Sequence, residues 1–257
     1  EFDWFIKSLD RAFDVLTGIG LSNQTMDSVP YVTLLAKFFY ENPEADYQDA
    51  ELRNDIFKFF ALMLLLNESH GLLRRTKARK MITVLAEERG ELEEFPALNL
   101  FSKLNVSPAS EDIERVVEKA QYNPSADGTV TFASRNVAAV LGLIDDIYEK
   151  EDISDYDVDH IFPKSRVDEI EEEVDEEIDI HRIGNLQLLG SVVNQNQKKD
   201  QMPKKWMNTD LGQSQREKYR ETNCYPDVSL DPENYQEFVK KREKILMREL
   251  EDRYVAN

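Results

Sequence analysis

Apolar and polar positions in the first half of the chain alternate with the period of a helix. Phe2, Phe5, Ile6, Leu9, Phe13 and Leu16 recur at spacings of three and four, and Gly18 and Gly20 end the pattern. Pro30 opens a second helix that runs to Tyr40 and stops at the "NPEAD" stretch. Residues 49–69 predict a third, apolar around much of its circumference and therefore central. His70 sits at its end before Gly71, where a cation offsets the helix dipole, a structural role. "RRTKARKMITVLAEE" reads as an amphipathic helix with a basic start. Ser107-Pro108 begins another, with Glu111 and Asp112 in its first turn, and a further helix over 133–150 turns Val137, Val140, Leu141, Ile144 and Ile147 inward.

The period then changes. Residues 155–162 and 183–189 predict two short strands, and 191–200 a helix. A long last helix follows Asp231-Pro232, with Phe238, Val239, Ile245, Leu246 and Leu250 on its buried side. The expected fold is mainly α: a helical bundle carrying a small strand–strand–helix module. The expected domains are a helical one over 1–150, the module over 151–215, and a C-terminal helical segment over 216–257 that packs back on the first.

Composition narrows the class. A chain of 257 residues that is 41% hydrophobic has material for one large or two smaller cores. Its longest apolar run, "FKFFALMLLL" at 57–66, falls short of the ~18 residues of a membrane span, so no membrane is expected. The start carries scattered charges and no signal peptide, and it lacks a methionine, so a fragment of a longer protein is expected. One cysteine, Cys224, excludes internal disulfides and multi-cysteine zinc sites and suits a reducing cytoplasm.

The net charge of −19 is uneven. Residues 151–180 hold fourteen acids against two bases, whereas 182–220 hold eight bases against three acids. The acidic tract "DEIEEEVDEEID" at 168–179 reads as a solvated helix or loop inserted between the strands.

Chemistry concentrates in "DVDHIFPKSR" and "HRIGNLQLLGSVVNQNQKKDQMP". Breaking a phosphodiester needs a base for the attacking water and a cation for the charge that develops on phosphate. His160 suits the base, since an imidazole with a pKa of about 6.5 is largely neutral near pH 7. Asp159 offers a hard oxygen ligand and Asn194 a carboxamide oxygen, a set that suits Mg²⁺ or Mn²⁺ better than zinc. Asn196 is a rival ligand, but two residues along a helix is about 200° around it, so the two asparagines cannot both face one site. Lys198, Lys199, Lys204 and Lys205 follow directly and are candidates for phosphate contact. His181 could approach the substrate but reads rather as a loop residue before a strand, and Trp206 reads as core or cover rather than as a base-stacking platform.

"DHIFP", "IGNLQLL" and an asparagine nine residues after Asn185, followed by lysines, resemble the HNH (His-Me finger, ββα-metal) endonucleases. More closely, they are similar to the C-terminal nuclease domain of the GmrSD and SspE group of modification-dependent restriction enzymes. The nuclease resemblance covers about residues 155–205. It implies a ββα module, with His160 as general base, Asp159 and Asn194 as metal ligands, and Asn185 holding the loop and the imidazole. One departure is Asn194 itself, where many HNH enzymes carry histidine; asparagine oxygen favours magnesium. The resemblance further implies a DNA endonuclease or nickase in defence against foreign DNA, and a nucleotide-dependent N-terminal sensor domain whose "DGQQR"-like motif this chain lacks. A homo-oligomer is compatible with it. Two alternatives stay open: a non-catalytic acidic interaction module, and an RNA-cutting nuclease on the same fold.

Overall fold

The computed structural model describes residues 2–18, 29–72, 74–87, 95–122, 132–145 and 156–255. Gly20, residue 155 of the first expected strand, residues 146–150 of the expected 133–150 helix and the expected domain boundary at 150/151 lie outside them. The described residues fall into two compact units, divided between Asp112 and Ile113.

The first unit is helical: α1 (Phe2–Gly18), α2 (Val29–Glu41), α3 (Ala50–His70), α4 (Arg75–Glu87) and α5 (Ala97–Lys103). α3 forms where its ends are fixed. The Asp49 carboxylate accepts the Leu52 N–H at 2.9 Å, and Gly71 closes the other end at φ 58°, donating its N–H to Asn67 O. As expected, α3 is buried over much of its circumference, from Leu52 and Ile56 through Phe59, Phe60 and Leu66. Its Phe59 is ringed by Phe60, Phe95 and Phe101, each about 5 Å away between ring centres. α1 buries Ser8, Ala12, Val15 and Leu16, while Phe2, Phe5, Ile6 and Phe13 of the same helix are exposed. His70, the last residue of α3, has its Nε2 3.2 Å from Asp112 Oδ2.

The second unit holds the end of α6 (Ser110–Lys119), α7 (Phe132–Asp145), β1 (Tyr156–His160), α8 (Val167–Val174), β2 (Leu186–Gly190), α9 (Ser191–Val193), α10 (Pro203–Asp210), α11 (Gln213–Thr222) and α12 (Tyr235–Tyr254). β1 and β2 pair antiparallel, with Tyr156 opposite Gly190 and His160 opposite Leu186. Residues 194–198 continue α9 as a π-turn, and Lys199 leaves it at φ 49°. The fold is thus mainly α with a small ββα module, as the pattern predicts.

The acidic tract is no free insertion. Val167, Ile170, Val174 and Ile178 recur at three, four and four, and this stripe sits on the core of Ile161, Phe162, Trp206, Tyr235 and Phe238. Ile170 is 0% exposed. Asp168, Glu169, Glu172 and Glu173 of α8, and Asp175, Glu176, Glu177 and Asp179 beyond its end, are exposed, while the segment itself is part of the core.

Candidate functional site

β1 ends at His160, and Asn185 clamps the turn beyond it. The Asn185 carboxamide oxygen accepts the Phe162 N–H at 2.8 Å, and its amide group donates to Phe162 O at 3.1 Å and Ile180 O at 2.9 Å. Its backbone carbonyl takes the Ile161 N–H at 2.8 Å. Three side-chain bonds from one fully buried asparagine fix the turn on which His160 sits. Among the described residues Asn185 makes no bond to the imidazole; it holds the loop.

The loop that carries Asn185 is held in turn by α12. Arg242, 1% exposed, donates to the carbonyls of Ile183, Gly184 and Leu186, and to Asn223 O. Gly184 has to be glycine, because a Cβ there would collide with the Val239 carbonyl of α12. The "IGN" of the sequence is therefore a packing motif as well as a polar one.

Strand alternation separates the neighbours Asp159 and His160. The His160 ring turns toward Tyr122, 6.3 Å between ring centres, and toward His181, whose Nδ1 is 3.2 Å from His160 Nε2. Burial first, then the nearby His181, Lys198 and Lys164, pull the His160 imidazole down to about 3, so it is neutral near pH 7. Asp159 turns the other way and is buried. Its Oδ2 accepts from Gln187 Nε2 at 2.8 Å and lies 2.9 Å from Lys198 Nζ. Gln187, its cross-strand partner, accepts at Oε1 from Tyr219 and Tyr225, each at 2.7 Å. Burial pushes the Asp159 carboxyl up and the Lys198 ammonium down, against their mutual attraction.

The structure thus distributes the sequence-derived residues over three places. Asn194 is not on Asp159: its Nδ2 donates to Asp157 Oδ2 at 3.3 Å. Asp157 and Asp159 share one face of β1, and Asn194 and Lys198 meet them from the helical segment after β2. Asn196 is exposed, which fixes the helix phase in favour of Asn194 facing the strand. Among the described residues no three His, Cys, Asp or Glu side chains converge as a metal cluster. The four lysines do not form one surface. Lys198 is 1% exposed and reaches His160 O at 2.6 Å, Lys204 pairs with Asp231, and Lys199 and Lys205 are exposed. Lys198 sits inside because a carboxylate and a carbonyl converge there, which its place in a lysine-rich run does not reveal.

Residues 108–249 match the family model for the C-terminal domain of GmrSD restriction endonucleases. The chain belongs to this family. No curated protein matches it. The GmrSD C-terminal match spans β1, β2, the Asn185 clamp and most of α12, and it begins close to the division between the two units. A restriction-endonuclease family makes this a nuclease unit, and in the described residues no helix is long and apolar enough to cross a membrane.

Sequence reasoning missed Gln187, Tyr219, Tyr225 and Arg242, and read His181 as a loop residue. A signal existed for Gln187, the lone polar residue between apolar neighbours in "LQLL", and strand pairing alone puts it across from Asp159. For Arg242 and the tyrosines no local signal exists, since their partners lie 19 to 59 and 32 to 38 residues away along the chain.

Proposed function

We propose that this chain is an HNH-type, metal-dependent DNA endonuclease or nickase, the effector part of a restriction enzyme. The observation that supports it most is the arrangement of a ββα unit with His160 at the end of β1, on a turn locked by Asn185. A neutral imidazole in a fixed position can accept the proton of an attacking water. A phosphate anion brought beside it would raise its affinity for that proton, so its basicity grows with the substrate in place.

The donors present fit a hard divalent ion. Asp157, Asp159 and Asn194 offer only oxygen ligands, and the Lys198 ammonium between Asp159 Oδ2 and His160 O is a stand-in positive charge on those oxygens. Asp159 and Asn194 would hold Mg²⁺ or Mn²⁺, and an ion on Asp159 would take the place of Lys198 Nζ. Bound there, it would supply charge stabilisation to the scissile phosphate and the leaving oxygen. The chain's own part is to hold His160, keep Asp159 on the other face of β1, and offer Lys199, Lys204 and Lys205 to the phosphate backbone, with Lys198 inside. A nucleotide-dependent sensor domain N-terminal to this chain, in the cytoplasm of a cell under attack, would supply most of the DNA affinity.

Supercoiled plasmid incubated with the chain tests this reading. Nicking is expected with Mg²⁺ or Mn²⁺, lost on chelation, and not restored preferentially by Zn²⁺. Undiminished nicking in the presence of a chelator contradicts it.

A further inference from the structure

Two of the chain's three histidines face each other: His160 Nε2 and His181 Nδ1 are 3.2 Å apart, with ring planes at 73°. Such a pair shares one proton, so one imidazole donates and the other accepts. His181 is not a loose loop residue. Its N–H donates to Asp179 Oδ1 at 3.0 Å, and its carbonyl accepts the Tyr122 N–H at 3.0 Å. Gln121 bridges to Arg182, Ile183 N–H donates to Ala120 O at 3.2 Å, and Gln121 Nε2 donates to Asp179 Oδ2 at 2.7 Å. Asn185 holds the carbonyl of Ile180 just before it. The same asparagine therefore fixes the turn after His160 and the approach to His181.

We propose that His181 is the positioning residue of His160: its Nδ1 accepts the Nε2 proton of His160 and leaves Nδ1 of His160 with the free lone pair. This rests on the nuclease reading of the site and adds the nitrogen through which His160 acts. Among the described residues no carbonyl or carboxylate accepts from His160 Nδ1, so none of them favours a proton there. His181 in turn keeps its proton on Nε2, the nitrogen that points away from the pair, on a half-buried ring that water can reach. Which nitrogen of an imidazole carries the proton is set by the bond the other one makes. His181 makes that choice for His160, and the edge-on contact limits rotation of the ring.

Selective ¹⁵N labelling of histidine in the full chain reads the tautomer directly, since there are three histidines to assign. The His160 ring is expected to be protonated on Nε2 in the wild type. His181→Ala is expected to give a mixture of tautomers and to lower kcat for plasmid nicking by about 10-fold or more with KM unchanged, because a wrongly protonated histidine cannot act as base. His181→Asn, whose carboxamide oxygen stands where Nδ1 stood, is expected to restore both. A merely structural role would change thermal stability and leave the tautomer as it was. A wild-type His160 protonated on Nδ1, or an unchanged tautomer in His181→Ala, overturns the inference. The spectroscopic arm uses no nucleic acid, so it stands apart from the nuclease reading, which fails instead if the wild type does not nick.

Discussion

The two units of this chain are stabilised in different ways. The first is an aromatic core: Phe59 among Phe60, Phe95 and Phe101, with Tyr31 and Phe38 fully buried nearby. The second has an aromatic core too, Phe162 with Tyr235 and Phe238, but it also places charge and amide groups inside. Asp159, Asn185, Gln187, Lys198 and Arg242 are all buried there, each bonded to a named partner. A packed aromatic core tolerates exchange for another apolar shape. A buried ion pair with a clamp around it tolerates almost nothing, because each lost partner leaves an unpaired polar group. In the second unit the buried polar groups gather around the turn after β1 and the stretch of α12 that holds it.

The largest expected effect comes from removing 168–179. This deletion takes Ile170 and Ile178 out of the core, each contributing about 1.5–3 kcal/mol, together with the Asp179 carbonyl that accepts the Tyr235 hydroxyl. Against a total stability of about 5–15 kcal/mol, the second unit is expected to lose its cooperative unfolding transition in calorimetry. A deletion variant that melts like the wild type would show that α8 is an independent insertion after all.

Next come two substitutions that set the units side by side. Phe59→Ala in the first should cost about 3–5 kcal/mol by leaving a cavity. Lys198→Met in the second should cost a similar ~3–5 kcal/mol for a different reason, since it strands the buried Asp159 carboxylate. The double variant Asp159→Asn with Lys198→Met is the discriminating one. It is expected to recover much of the loss, whereas no second change in the first unit repairs Phe59→Ala short of refilling the cavity. Urea unfolding of all four chains measures this, and equal stabilities of the single and double Lys198 variants would mean the pair is not coupled.

Much of the secondary structure is legible in the sequence. Helical patterns place α1 to α4, α6 and α7, and Pro, Gly or an acidic first turn marks an end of α1, α2, α3 and α6. The strand–strand–helix order is legible as well, since "DVDHIFP" and "LQLLG" break that period. α10 and α11 are not, for their stretches hold few apolar residues: only Pro203, Trp206 and Met207 of α10 are buried, and none of α11 is. The acidic tract reads as an insertion because nine acids in twelve residues hide the Ile170–Val174–Ile178 stripe. Lys198 reads as a phosphate contact because its charge is visible in sequence and its carboxylate partner, 39 residues upstream, is not.

The smallest expected effect is at the surface. Lys199 and Lys205 are exposed, so replacing both with alanine should leave folding unchanged and weaken DNA binding uniformly across sequences. At ~0.15 M salt the Debye length is about 8 Å, so distant acids of this acidic chain are largely screened while lysines that touch phosphate are not. The slope of log affinity against log salt should flatten by about two, roughly one for each phosphate contact removed. An unchanged slope in a filter-binding titration would mean that neither lysine touches the backbone.

His160, held on its turn by the Asn185 clamp, is the proposed base of the nuclease. Nicking of supercoiled plasmid by His160→Ala, measured beside the wild type with Mg²⁺ and with the circular dichroism of both chains recorded, tests it most directly. A loss of about 10²–10⁴-fold is expected with the fold intact. Cleavage by a folded His160→Ala chain at the wild-type rate would contradict it.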